Sequence, residues 1–386
     1  MKGKIDFKAN FNDIVRLTKR QDIPSIYILY DEGECMMMKS RMMKAAVLTG
    51  PRQVVVKEVA VPDVRPGEIE IAVSACGVCG SDIHMWKAGK GWYKEDIPDF
   101  RMGHEFCGVV TNPGNSSFKV GDRVVFWANL YCGKCDMCLS GQEHLCRAVN
   151  GTNYIGFVCN GAYSKRFVGE ASRAYLLPDS VSDVAAGLID PLMVAYHAVR
   201  KSNIKLGDKV LVVGTGIIGH MIAELAKKSG ASYVAMSKKG DHKIAAAKKA
   251  GFVDEFFDSD DSHVLDKMGK ATKGGFDVSF EVVGTESTLD LCIYSSKPGG
   301  TVVMIGNSLT DKIPASINRA VLQEIKLVGS VSCTREEFIG TIDLIADGVI
   351  DPEQYVTDII SLDELQHTFE RLSDESDPIL KAVVKP

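Results

Sequence analysis

One stretch constrains this chain more than any other: Val210 to His220, reading VLVVGTGIIGH. Four apolar residues, Val210 to Val213, stop at Gly214, and Gly214, Gly216 and Gly219 then fall in a G-x-G-x-x-G arrangement. A helical pattern follows, with Met221, Ile222, Leu225 and Ala226 on one face and Gly230 as its stop. Glycines so spaced between a strand and a helix form a turn that takes a dinucleotide. Gly214 allows the tight turn, Gly216 lets the backbone approach a pyrophosphate, and Gly219 lets helix pack on strand. Ile217 and Ile218 open the helix, whose free N–H groups and partial positive charge face the phosphates.

The rest of the chain arranges itself around that turn. From about 192 to 330, strand-like runs (Val210–Val213, Val278–Val282, Val302–Ile305) alternate with helical stretches, which predicts parallel βαβ units in an α/β protein. From 43 to 191 the text is β-rich, with short runs such as Val54-Val55-Val56 between turn signals such as Pro66-Gly67 and Pro113-Gly114. The stretch 331–386 is mixed, with helical patterns at Glu336–Asp347 and Leu362–Leu372 and a strand-like Leu380–Val384. Residues 1–42 are polar and end in a methionine-rich stretch; a poorly ordered extension is expected there. At 386 residues the chain is too long for one ordinary core and suits two domains.

Composition excludes several classes. A net charge of -5 offers nothing to nucleic acid or to an anionic membrane. No apolar run approaches the ~20 residues of a membrane span, and the N-terminus lacks a signal-peptide layout. A cytoplasmic location is the expectation by default. In a reducing compartment the eleven cysteines read as metal ligands and buried thiols rather than disulfides.

Two cysteine constellations carry chemistry. Cys132, Cys135, Cys138 and Cys146 lie within CGKCDMCLSGQEHLC, a spacing that can close a tetrahedral thiolate cage around zinc. Four ligands leave no open position, so that site should be structural. The second constellation is dispersed: Cys79 in CGVCGSDIH, His104 and Glu105 in GHEF, and Asp190 before Pro191. Spacing alone does not bring these residues together.

In order, these motifs resemble the medium-chain, zinc-dependent dehydrogenase/reductase family, whose members include alcohol, sorbitol and threonine dehydrogenases. The resemblance spans residues 43–386. It implies a GroES-like β-rich catalytic domain (43–191 and 331–386) and a Rossmann domain with a doubly wound parallel sheet (192–330), with the active site in the cleft between them. It implies that Cys79, His104 and Asp190 ligate a catalytic zinc and that Glu105 is a neighbouring or exchangeable ligand. Asp190 stands where some members carry a second cysteine, as in the sorbitol-type members. By the same resemblance Ser81 and His84 form a proton relay, Asp82 hydrogen-bonds the zinc histidine, and the protein is a homodimer or homotetramer.

A zinc with an open position lowers the pKa of an alcohol and polarises a carbonyl, so the expected reaction is hydride transfer between a nicotinamide and an alcohol, polyol or ketone. The residues after the second strand are Ser237, Lys238 and Lys239, where members using NAD carry an acid. A hydroxyl and two lysines suit a 2′-phosphate, which predicts NADP(H). The rival is Asp241 turning in to bind NAD(H). Met85, Ser332 and Cys333 replace polar residues of the sorbitol-type pocket, which leaves room for a less polar substrate; Trp86 and Trp92 read either as lining for that pocket or as core packing. From other classes, a non-catalytic binding protein on this fold should have lost zinc ligands, and a nucleic-acid module built on the cysteine lobe should be basic.

Overall fold

The computed structural model describes residues 26–31, 34–39, 41–91, 97–148, 154–238, 243–307, 312–374 and 376–386, with the backbone alone for 26–39. The expected poorly ordered extension falls largely outside these residues. Within them, β1 (Ile26–Asp31) and β2 (Glu34–Lys39) pair as an antiparallel hairpin.

β3 (Met42–Gly50) and β4 (Gln53–Ala60) form a second antiparallel hairpin. β5 (Glu68–Gly77) is the spine of the first main sheet. Its burial alternates only weakly, because both of its faces are covered. β6 (Glu105–Asn112) runs antiparallel to it, β7 (Arg123–Phe126) to β6, β8 (Arg166–Glu170) to β5, and β9 (Ala174–Leu176) to β7. The helix Ile189–Ser202 then leads into the nucleotide-type half, packing on the helix Ile217–Lys228.

There β10 (Lys209–Val213), β11 (Tyr233–Lys238), β12 (Glu255–Asp258), β13 (Phe276–Glu281), β14 (Ser296–Met304) and β15 (Lys326–Gly329) form one parallel sheet ordered β12-β11-β10-β13-β14-β15. That order is the doubly wound one, and it reverses between β10 and β13. β10 is apolar along its length because a central parallel strand is buried on both faces. β13 ends one residue earlier than its apolar run suggests, because the Glu281 side chain accepts the N–H groups of Val283 and Gly284 and turns the chain.

The chain returns through the helix Arg335–Ala346, β16 (Asp358–Ile360), the helix Leu365–Leu372 and β17 (Ala382–Val384). The pattern over Leu362–Leu372 is broken, since Leu362–Glu364 makes a tight 3-10 turn behind a Ser361–Glu364 capping box. β17 pairs antiparallel with the end of β5, so the last strand completes the first sheet in the order β16-β17-β5-β6-β7-β9. One core joins both halves, running from Trp127 and Ile189 through Val210 and Met221 to Phe338, with Trp127 stacked on Phe338 at 6.0 Å between ring centres. Among the described residues no helix is long and apolar enough to cross a membrane.

Candidate active site and cofactor turn

The end of β5 sets the site. Cys79 caps the helix Gly80–Ala88, and its N–H donates to Asp82 Oδ2 at 3.0 Å. Gly77 must be glycine, since a Cβ there would lie 2.1 Å from Glu105 Oε2 and 2.5 Å from the Gly187 carbonyl. Gly103, at φ +91°, turns the opposite chain so that His104 and Glu105 enter β6 side by side. His104 is buried, with its ring edge-on to Phe157 at 4.8 Å. Its Nδ1 lies 3.6 Å from Asp82 Oδ1, and Asp82 Oδ2 accepts from the Tyr163 hydroxyl at 2.7 Å.

Ligand atoms of Cys79, His104 and Glu105 all lie within 4.8 Å of one another. Asp190, in the first turn of Ile189–Ser202, stands outside that spacing but within electrostatic reach of His104 and Glu105. Glu105 is therefore the carboxylate that shares the 4.8 Å cluster with Cys79 and His104. Burial pushes the Asp190 carboxyl up to about 7, with Glu105 and Asp82 adding to the rise and His104 and Lys381 opposing it. Burial works against a charged His104, but Cys79 and Asp82 outweigh it and hold the imidazole well above its usual range. Thiol, imidazole and carboxylates in one buried spot suit zinc, and Asp82 against His104 is the carboxylate–histidine pairing such sites use.

Sequence reading missed one member of this site. Lys381, buried immediately before β17, pairs through Nζ with the Glu105 carboxylate and donates to the Val78 carbonyl at 2.9 Å. It reads in sequence as one polar residue in an apolar run, and only the return of β17 to β5 reveals it.

The Ser81 hydroxyl is buried with no hydrogen-bond partner among the described residues. His84, one helical turn on, is half-buried, and burial, with Lys87, lowers its pKa below the ordinary value. Trp86 does not line a pocket. It packs against Phe369 at 5.9 Å and donates Nε1–H to Gln366 Oε1 at 3.2 Å, so it is core. Trp92 lies outside the described residues.

The four thiols of the other lobe meet. Cys132 and Cys138 sulfurs are 3.9 Å apart, Cys135 and Cys138 3.5 Å, and Cys135 and Cys146 3.9 Å. A tetrahedral zinc with Zn–S bonds of about 2.3 Å sets its ligand sulfurs about 3.8 Å apart, so the cage fits that ion. Backbone N–H groups of Cys138 and Arg147 bring the Cys135 thiol down to about 6, which favours the ligating thiolate at neutral pH.

The glycine turn lies where the strand order reverses. Gly214 has φ +125°, a conformation that L side chains rarely adopt. A Cβ on Gly219 would stand 2.1 Å from the Gly214 carbonyl, whereas one on Gly216 would meet nothing within 4 Å. Gly214 and Gly219 are thus demanded by the fold, and Gly216 faces open space at the N-terminus of Ile217–Lys228, with Ile217 and Ile218 half-buried behind it. Ser237, beside Val213 in register, is buried, and Lys238 is half-buried at the end of β11. Lys239 and Asp241 lie outside the described residues.

A dinucleotide-type glycine turn together with a thiol–imidazole–carboxylate cluster is the combination a metal-assisted dehydrogenase uses. Comparison with known proteins agrees. Residues 65–179 match the alcohol dehydrogenase GroES-like domain and residues 218–347 the zinc-binding dehydrogenase family. The chain is 31% identical over 350 residues to a sorbitol dehydrogenase of Bacillus subtilis (strain 168), covering 89% of this chain and 97% of that protein. It is 31% identical over 344 residues to an L-threonine 3-dehydrogenase of Rhizobium rhizogenes (strain K84 / ATCC BAA-868), covering 86% and 96%. A solved protein of Sinorhizobium meliloti 1021, described as a zinc-binding dehydrogenase bound to NADP, superposes with a TM-score of 0.79 at 28% identity, covering 90% of this chain and all of that one. The chain belongs to the medium-chain zinc-dependent alcohol and polyol dehydrogenase family. It is an oxidoreductase acting on CH–OH groups, with zinc and a nicotinamide dinucleotide as cofactors.

Proposed function

We propose that the chain interconverts a secondary alcohol, with few further hydroxyls, and its ketone, using NADP(H). The observation that carries this reading is the Cys79–His104–Glu105 cluster, with the unpartnered Ser81 hydroxyl two residues along from Cys79. Cys79, His104 and Asp190 would hold the catalytic zinc, with Glu105, restrained by Lys381, as the exchangeable carboxylate. Zinc there would supply Lewis acidity toward an alcohol or carbonyl oxygen. Asp82 fixes the ring of His104. Ser81 would accept the proton of the substrate hydroxyl as it passes its own on, and His84 would take the relayed proton outward, its lowered pKa keeping the imidazole neutral and able to accept.

The Gly214 turn seats the pyrophosphate, and Ser237, Lys238 and Lys239 take the 2′-phosphate. The absence of an acid along β11 supports this choice; Asp241 on the ribose is the NAD(H) alternative. The substrate reading follows from polar groups already committed elsewhere. Met85 is buried, the Ser332 hydroxyl donates to Asn129 Oδ1 at 3.1 Å, and Cys333 contacts Met193 sulfur to sulfur at 3.2 Å. Free thiols throughout the described residues suit a cytoplasmic setting. The sheet edge at β15, preceded by the exposed Val321 and Leu322, suits a homodimer or homotetramer contact.

The test is a panel of alcohols, polyols and ketones run with both cofactors, on wild type, Cys79→Ala and Lys238→Asp. Cys79→Ala should abolish hydride transfer while NADPH still binds, and Lys238→Asp should swing preference toward NAD(H). Near-normal turnover by Cys79→Ala overturns the metal reading. A wild type that prefers NAD(H) overturns the cofactor reading.

A further inference from the structure

Glu281, the last residue of β13, is a buried carboxylate that neither metal cluster uses; it is 2% exposed. It ends the strand that flanks β10 on the side away from β11, so it lies at the reversal of strand order. Its Oε1 accepts the N–H of Val283 at 2.9 Å, the N–H of Gly284 at 2.8 Å and the Thr288 hydroxyl at 2.8 Å. Its main-chain carbonyl accepts the N–H groups of Ile305 at 2.8 Å and Gly306 at 3.0 Å, just after β14. Among the described residues it makes no ion pair. A buried carboxylate is costly unless such charge-assisted bonds compensate it, and three donors converge here.

The loop so held is the one against which the glycine turn rests. Val282 donates its N–H to the Val213 carbonyl at 3.1 Å. The Cβ position of Gly214 lies 2.9 Å from a Val283 methyl and 3.0 Å from a Val282 methyl. Gly284, at φ +89°, backs onto Gly306 and Asn307, whose main-chain atoms lie 3.0 Å from its Cβ position. Thr288 closes a capping box with Thr285 on the helix Glu286–Ser295. The Glu281 side chain thus ties the loop after β13 to the start of a helix, its main-chain carbonyl holds the residues after β14, and Val282 and Val283 of that loop face the glycine turn.

We infer that Glu281 is a positioning residue for the cofactor: it fixes the Val282–Thr285 loop as one wall of the crevice into which the dinucleotide docks. The inference rests on the reading of Gly214–Gly219 as the dinucleotide turn. Glu281 acts through the loop, so its loss should weaken cofactor binding more than it slows the chemistry.

The test is NADPH fluorescence titration of the zinc-loaded enzyme carrying Glu281→Gln or Glu281→Ala, with Gly216→Asp as a control that blocks the open side of the turn. Thermal melting without cofactor and zinc content report folding separately. Glu281→Ala should weaken NADPH binding by about tenfold or more, and Glu281→Gln by less, since its amide oxygen still accepts from the same donors. KM for the cofactor should rise in step, while kcat at saturating cofactor stays within about threefold of wild type. Folded Glu281 variants with wild-type NADPH affinity, beside a Gly216→Asp that has lost it, overturn the inference. If Glu281→Ala does not fold, Glu281→Gln decides by the same criterion. Wild-type affinity in Gly216→Asp overturns the glycine-turn reading, and this inference with it.

Discussion

Lys381 and Glu105 form an ion pair with both side chains about 1% exposed, and it joins the residue before β17 to the Cys79–His104–Glu105 cluster. Lys381 keeps its charge because Glu105 and Cys79 offset the burial that would lower its pKa. Removing one partner of such a pair strands the other. Lys381→Met should cost about 3–5 kcal/mol by urea unfolding, and adding Glu105→Gln should recover part of that loss. A double variant less stable than Lys381→Met would show that the pair is not coupled in this way.

The four-thiol lobe should hold a zinc independent of catalysis. Elemental analysis of fresh enzyme should give two zinc ions per chain. Cys135→Ser should lose one of them and melt at lower temperature, because metal binding at such a site is folding free energy. One zinc per active wild-type chain would refute this.

The first and last glycines of the turn serve packing and the middle one faces open space, as a cofactor contact would need; two single-methyl variants can separate these roles. Gly219→Ala drives a Cβ into the Gly214 carbonyl and should destabilise by about 1–3 kcal/mol. Gly216→Ala has open space and should change stability by under about 0.5 kcal/mol while weakening NADPH binding. Calorimetry and cofactor titration on both variants check the split; the reverse pattern would sink it.

Glu337 gives a pH signature away from the metals. Burial alone would raise its pKa, but His197 Nδ1 at 2.7 Å and the N–H and hydroxyl of Thr334 at 2.9 and 3.0 Å bring it down to about 2 from an ordinary 4.5. A depressed carboxylate stabilises the fold above its unfolded value, and that contribution fades as pH falls from 4.5 toward 2. Glu337→Gln should therefore lose about 3 kcal/mol at neutral pH, with the gap to wild type closing across that acid window. A gap that stays constant with pH would refute the ionised-carboxylate origin.

What sequence made legible is what sits close together along the chain. The glycine turn and the four cysteines each fit within fifteen residues, and local geometry leaves them few arrangements. Cys79, His104 and Asp190 were recoverable as a set only through resemblance, because bringing Cys79 beside His104, with Asp190 in electrostatic reach, depends on β5, β6 and the helix Ile189–Ser202 packing together. That Glu105 rather than Asp190 shares the close cluster with Cys79 and His104 was not legible, since it depends on tertiary packing. Lys381 was invisible because its partner Val78 lies 303 residues away in sequence. Trp86 read equally well as pocket or core, and Phe369, which makes it core, comes from the same late return of the chain.

The pairing of β17 with β5 also sets an order of assembly. A growing chain makes the thiol lobe, the glycine turn and all six strands of the parallel sheet before β17 exists. Until that strand docks, the lower edge of β5 is open and Glu105 has no cation. The glycine turn and its six strands can therefore be in place while the Cys79–His104–Glu105 cluster still lacks the cation that Lys381 supplies.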